Sequence, residues 1–201
     1  MPDVSRETEQ KFTRYIEMLH EWQARMNLVA PSTLPHARQR HIEDSAQLID
    51  LIPRNFQVRC WVDFGSGAGF PGIVAALMVS ADVHLIESRT KKCTFLQAVV
   101  DELGLRDRVT VHNQRAETMT APKADIISAR ACAALPTLFD WGHGFAAQHT
   151  LWLLPKGKGA AAEVDAARRE FDFHAAFHPS RTDDEARILA VRDVRRKGKR
   201  R

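Results

Sequence analysis

Apolar positions recur at helical spacing over residues 5–27. Phe12, Ile16, Leu19 and Met26 share one face, with Tyr15 and Trp22 beside them, and Glu7, Lys11, Arg14, Glu21 and Arg25 take the other. The stretch "APSTLP", with Pro31 and Pro35, ends that element. A second helix is predicted from about His36 to Leu51, turning Ile42, Ala46 and Ile49 inward. From Arg59 onward the period changes. Short apolar runs at 59–64, 83–87, 108–113, 124–129 and 150–155 predict strands, with helices between them at 71–80, 90–104 and 133–147. A helix at 159–169 then leads to strands at 170–177 and 186–194, joined by the polar turn "HPSRTDDE". Strands alternating with helices imply a parallel sheet covered on both faces, here closed by an antiparallel hairpin at one edge. The expected fold is α/β: a helical extension over residues 1–55 packed on the core, a seven-stranded, mostly parallel sheet over 56–194, and a basic tail over 195–201.

Composition narrows the class. The 201 residues are 44% apolar, enough to bury a core without staples. No apolar run approaches the roughly 20 residues that span a bilayer, and the polar start "MPDVSRETEQ" does not read as a signal peptide. Cys60, Cys93 and Cys132 are odd in number and lack C-x-x-C spacing, which suggests reduced, buried thiols and a cytoplasmic protein. The net charge of +4 is uneven, because "RRKGKRR" at the end carries Arg195, Arg196, Lys197, Lys199, Arg200 and Arg201. Such a tail suits a polyanionic partner; it equally suits a solvated segment that keeps the chain soluble.

The chemistry is concentrated in "WVDFGSGAGFPGIVAAL", residues 61–77. A strand ending at Asp63 meets Gly65, Gly67 and Gly69, and Phe70 and Pro71 lead into a helix. Gly67-x-Gly69-x-x-Gly72 satisfies a dinucleotide fingerprint in its required strand-turn-helix setting. Glycines there let backbone approach a ligand closely. Glu87, at the next strand end about 20 residues on, can accept from both hydroxyls of a ribose. Ala116 and Glu117, after the third strand, are placed to read an adenine edge, although Glu117 could equally be an exposed charge. An adenosine-containing cofactor follows, and NAD and S-adenosylmethionine both qualify. Pro71 removes an N–H that a pyrophosphate would use. Asp63 puts negative charge where a sulfonium and an α-amino group are welcome. S-adenosylmethionine is favoured, with a nicotinamide-dependent oxidoreductase as the rival.

"DFGSGAGFPG" (63–72), "KKCTFL" (91–96), "ISAR" (127–130) and "LLPKGK" (153–158), preceded by "NL" (27–28) and "RHIEDS" (40–45), resemble in content and order the bacterial small-subunit ribosomal RNA methyltransferase G family, also called glucose-inhibited division protein B. The likeness spans residues 12 to 194. Phe64 and Phe70 are bulkier than the family's usual choices, and Ala129 intervenes where the family runs Ser-Arg. The resemblance implies a Rossmann-like class I methyltransferase that uses S-adenosylmethionine to methylate N7 of one guanosine in 16S rRNA. It also implies that Gly65 and Phe70 line the cofactor loop, that Ala116 and Glu117 hold the adenine end, and that Arg130 sits beside the cofactor and the substrate entrance.

Guanine N7 has a free lone pair at neutral pH, so no general base is expected. Alignment and exclusion of water are the work required. A guanidinium aimed at N7 would block it, so Arg130 is expected to hold guanine O6, a phosphate or the methionine carboxylate. Lys156, Lys158, Arg195 and Arg196 are candidate RNA contacts. His41, Asp44 and Ser45 have the composition of a hydrolase triad but lie on one helix face without a strained elbow, and are read as a hydrogen-bonded packing cluster bordering the cleft. His143, His149 and His174 lack ligand spacing, and no metal is expected. The partner implied is 16S rRNA or the 30S subunit, met by a monomer. A non-catalytic RNA-binding module that kept the fold is a further reading.

Overall fold

A computed structural model describes residues 4–120 and 122–198. Helix α1 (Arg6–Gln23) starts where the Ser5 hydroxyl accepts from the Thr8 N–H at 3.1 Å. It buries Phe12, Tyr15, Met18 and Leu19. It stops short of the predicted residue 27 because Gln23 takes over the backbone: its side chain accepts from Leu28 and Val29 N–H and donates to the Val29 carbonyl.

The single helix predicted over 36–51 is instead three short turns, with a fourth just before it. A 3-10 turn (Pro31–His36) holds both prolines, and a wide π-type turn (Arg38–Glu43) runs into one α-turn, α2 (Asp44–Ala46), then a 3-10 turn (Ile49–Leu51). The Asp44 N–H reaches back to Gln39, and the Ser45 hydroxyl donates to the His41 carbonyl at 2.6 Å. Side-chain bonds of this kind compete with the regular ladder, and wide turns re-aim side chains, often at functional sites.

The sheet has seven strands: β1 (Cys60–Phe64), β2 (Asp82–Glu87), β3 (Val109–Asn113), β4 (Ala124–Ala129), β5 (Ala146–Lys156), β6 (Phe171–Pro179) and β7 (Arg187–Arg196). Their order is β3-β2-β1-β4-β5-β7-β6. The first five are mutually parallel, and β7 lies antiparallel between β5 and β6. Between them run α3 (Gly72–Met78), α4 (Thr90–Glu102), α5 (Leu135–Gly142) and α6 (Ala160–Ala167). Every residue of β1 is buried, as a central strand covered on both faces requires. Trp61, Val83, Leu85 and Leu153 face α1, α3 and α4; Val62, Phe64, Trp152 and Leu154 face α5 and α6. Helix α5 is shorter and β5 longer than predicted. Gly142 lies where a Cβ would come within 2.0 Å of Trp152, and the chain turns at once into a strand whose first residues are partly exposed. Strand β7 also extends into the predicted tail, so Arg195 and Arg196 are strand residues; residues 199–201 lie outside those described.

The strand order reverses between β1 and β4, which opens a crevice beyond their carboxyl ends. The N-terminal turns close one side of it. The β6–β7 connection closes another, tied to those turns by Thr182 to Asp44, Arg181 to Gln47 and Arg40 to Asp183.

Candidate active site

The turn after β1 is held open by its own backbone. Gly65, Gly67 and Gly69 have φ of +61°, +58° and +91°, where a side chain is strained. A Cβ on Gly65 would also lie 2.4 Å from the Cys132 Cβ. Ser66 N–H donates to the Ile86 carbonyl at 3.1 Å and Gly67 N–H to Glu87 Oε2 at 3.0 Å. The Tyr15 hydroxyl donates to the Ala68 carbonyl. Phe70 is stacked between Tyr15 (5.0 Å between centroids) and His41 (4.9 Å). Helix α1 therefore grips the turn, a role the sequence pattern did not disclose beyond placing Tyr15 near the apolar face.

Three adjoining lobes line the crevice. One of about 310 Å³ contains Gly65, Glu87, Ala116 and Glu117. A second of about 340 Å³ contains Gly65, Gly67, Phe70, His41 and Arg130. The third and largest, about 730 Å³, runs from Thr33, His41, Asp44 and Arg130 to Lys156 and Glu163. Gly65 and Lys92 border the first two, Arg130 the last two, and Ala131 all three. Ala131 holds φ at +52°, an unusual conformation for a residue with a Cβ, at the point where the lobes meet. Ala131 was not singled out by the sequence pattern; Cys132 was read there only as a reduced thiol, and Lys92 only as part of "KKCTFL".

Glu87 is buried, and each of its oxygens accepts one backbone N–H, from Gly67 and from Arg89 (2.8 Å). Each keeps acceptor capacity toward the first lobe. Ala116 is buried in a 3-10 turn (Ala116–Thr118), and Glu117 is half exposed and bonded to Arg115 at 3.4 Å. Asp63 does not line any of these lobes. Its carboxylate is fully buried behind the turn, where Oδ1 accepts from Ser128 Oγ at 2.6 Å and Ser128 in turn accepts from Trp61 Nε1 at 2.8 Å. Oδ2 is without a partner among the described residues. Burial raises this carboxyl to about 6, against the pull of the Ser128 hydroxyl and Arg130. An anion kept there at neutral pH favours a cation nearby. The positive-φ glycines, the open Glu87 oxygens and this buried carboxylate fit a positively charged adenosine cofactor.

Arg130 is 21% exposed and held from three sides. It pairs with Asp44 Oδ2 at 3.3 Å, donates to the Arg40 carbonyl at 3.4 Å and to His41 Nδ1 at 3.2 Å, and lies 5.2 Å over the Phe70 ring. Burial first, then Arg130 and Arg40, lower His41 to about 4. The Ser45 hydroxyl is spent on its own turn, so His41, Asp44 and Ser45 form a cluster around Arg130 and not a hydrolytic triad. Lys156 is almost covered at 7% exposure, bonded to Glu163 (2.7 Å) and the Ala133 carbonyl (3.2 Å), so it faces the lobe wall instead of an outer phosphate. Lys158 is exposed and paired with Glu185. Arg196 pairs with Asp140, and Arg195 is exposed on β7, away from the crevice. Among the described residues, no group of three or more His, Cys, Asp or Glu could hold a metal, and no helix is long and apolar enough to cross a membrane.

A family model described as rRNA small subunit methyltransferase G matches residues 8–187. A protein of that name from Rhizorhabdus wittichii is 42% identical over 197 residues, 98% of this chain and 90% of its own. One from Paramagnetospirillum magneticum is 43% identical over 193 residues, 96% and 92% of the two chains. Among solved structures, a variant of MtNAS in complex with S-adenosylmethionine shares the fold with a TM-score of 0.61 at 16% identity, covering 93% of this chain and 72% of that one.

Proposed function

The chain belongs to the rRNA small subunit methyltransferase G family, and on that premise we propose how its three-lobed crevice performs the family's reaction. It is an S-adenosylmethionine-dependent methyltransferase of N7 of a guanosine in 16S rRNA. S-adenosylmethionine supplies an electrophilic methyl group on a sulfonium. The observation that carries the assignment of lobes is the wall shared by the glycine turn and the large lobe at Arg130 and Ala131. Glu87 takes the ribose hydroxyls, and the backbone at Ala116 and Glu117 takes the adenine edge. Gly65, Gly67 and Phe70 line the path between, Gly69 shapes the turn from behind against Tyr15, Ile73 and Leu96, and Asp63 supplies negative potential from beneath. The large lobe receives the guanine.

No side chain needs to remove a proton, because N7 carries its lone pair already. The protein contributes alignment and a water-poor wall, effects that can supply several kcal/mol of a barrier. Arg130, held by Asp44, His41 and Phe70, is turned from N7 and orients the nucleotide through a phosphate. A monomer acts on 16S rRNA in the cytoplasm, free or within the 30S subunit, with Lys158, Arg195 and Arg196 adding charge outside the crevice. The test is transfer of labelled methyl from S-adenosylmethionine to unmethylated 30S subunits and to naked 16S rRNA, with the modified base mapped by cleavage at N7-methylguanosine. One labelled guanosine is expected; label elsewhere, or none despite cofactor binding, overturns the assignment.

A further inference from the structure

Lys156 and Glu163 line the large lobe alone, whereas Thr33, His41, Arg130 and Ala131 line both it and the lobe on the glycine turn. The pair thus belongs to the part of the large lobe not shared with the glycine turn, with Lys156 held beside Cys132 through the Ala133 carbonyl. Its bonding is incomplete in a specific way. Glu163 Oε2 accepts from Lys156 Nζ at 2.7 Å and from the Leu135 N–H at 3.2 Å, and Oε1 has no partner among the described residues. Lys156 Nζ donates to Oε2 and to the Ala133 carbonyl, which leaves one of its three N–H groups open. An ammonium with one open N–H and a carboxylate with one open oxygen, side by side and only 7% and 33% exposed, offer one donor next to one acceptor.

From this we infer that Lys156 and Glu163 read the Watson–Crick edge of the target guanine. Guanine presents O6, N1–H and an N2 amino group in a row. Lys156 donates to O6, and Glu163 Oε1 accepts from N1–H and N2–H. Adenine offers a donor and an acceptor in the reversed places and is rejected at both, which is how an unstacked RNA base is identified in a pocket. Held by that edge, the base turns its N7 edge away from Glu163. This rests on the methyltransferase reading of the crevice. It also explains why a lysine next to an rRNA site is covered and tied to a carboxylate, which a phosphate contact does not require.

Glu163 also caps the start of α5 through Leu135, so loss of activity alone would not separate recognition from structure. The experiment therefore compares guanosine with inosine, which keeps O6, N1–H and N7 but lacks the N2 amino group. Reconstituted 30S subunits carrying either base at the target are methylated by wild type and by Glu163→Gln, and S-adenosylmethionine affinity is measured by calorimetry for both. Wild type is expected to lose about tenfold or more in kcat/KM on inosine, the scale of one lost hydrogen bond to a charged group. Glu163→Gln is expected to lose about 100-fold on guanosine, to differ less than about threefold between the two bases, and to keep its cofactor affinity. A variant that retains the wild-type guanosine-to-inosine ratio, whatever its rate, overturns the proposal and leaves the methyltransferase reading standing. Absence of transfer by wild type overturns both.

Discussion

Arg130 donates to Nδ1 of His41 at 3.2 Å, and that contact fixes the protonation of the imidazole. Nδ1 must accept, so the ring proton sits on Nε2, which meets Thr33 Oγ1 at 2.9 Å. Burial and the neighbouring arginines hold the ring neutral, with its pKa near 4. His41 is thus a spacer that keeps a cation in one place without adding charge. His41→Leu removes the acceptor and frees Arg130. Methyl transfer in single turnover is expected to fall about 10- to 100-fold while cofactor affinity changes by only a few-fold, the signature of lost alignment. Equal losses in both would show that His41 serves the cofactor loop instead.

Gly65 presses on Cys132. Its φ is +61°, and a Cβ there would stand 2.4 Å from the Cys132 Cβ. Gly65→Ala is expected to destabilise the protein by about 2–4 kcal/mol, combining strain with overpacking. Cys132→Gly in the same chain should recover part of that loss, because the clash has a single partner, but not the strain. Urea unfolding of the two single variants and the double variant measures the coupling. Simple additivity would mean that the turn relaxes away from Cys132. Gly159→Ala, whose Cβ meets nothing within 4 Å, is the control.

The sheet was legible because its strands carry their burial locally. The buried core of β1 and the stretch Thr150–Leu154 in β5 are apolar runs, and the β6–β7 hairpin is announced by its polar turn. The glycine turn was legible because backbone that must take positive φ restricts the residue type, and Glu87 because it closes the neighbouring strand about 20 residues on. Residues 31–51 were not, because their path is set by side-chain bonds to distant segments, such as Thr182 to Asp44 and Arg130 to His41. The pairing of Lys156 with Glu163 spans seven residues across a loop and the start of α6, and no periodicity reports it. Asp63 was placed correctly near the strand end, yet its burial behind the turn depends on Ser128, its register partner in β4, which Trp61 of β1 holds in turn.

Tyr15 binds the glycine turn by a hydroxyl and by its ring. Tyr15→Phe keeps the stacking on Phe70 and removes the donor to the Ala68 carbonyl. A buried carbonyl left unpaired costs about 1–3 kcal/mol. Because that carbonyl belongs to the turn, the variant is expected to bind S-adenosylmethionine more weakly, by roughly the same free energy or less, with a lowered Tm. An unchanged Kd with a lowered Tm would mean that α1 stabilises the fold without shaping the turn.

Asp63 and His41 respond to pH with opposite sign. Asp63 is raised from 3.8 to about 6, so the folded state holds a proton that the unfolded chain releases. Above pH 6 its buried charge weighs against folding, and stability is regained as pH falls toward 3.8. His41 is lowered from 6.5 to about 4, so its neutral form supports folding above 6.5, and that support is lost as pH falls toward 4. The two slopes oppose each other across the same window. Asp63→Asn should therefore be more stable than wild type at pH 8, by roughly 1–3 kcal/mol, and lose that advantage by pH 4.5. His41→Leu should move the other way, gaining on wild type by a similar amount as the pH falls from 6.5 to 4.5. Urea unfolding of the three proteins at several pH values between 4.5 and 8 gives both difference curves. Curves of the same sign would refute the assignment. The gain for Asp63→Asn at pH 8 should come with weaker S-adenosylmethionine binding, because the anion that burdens the fold is the one that favours a cationic cofactor.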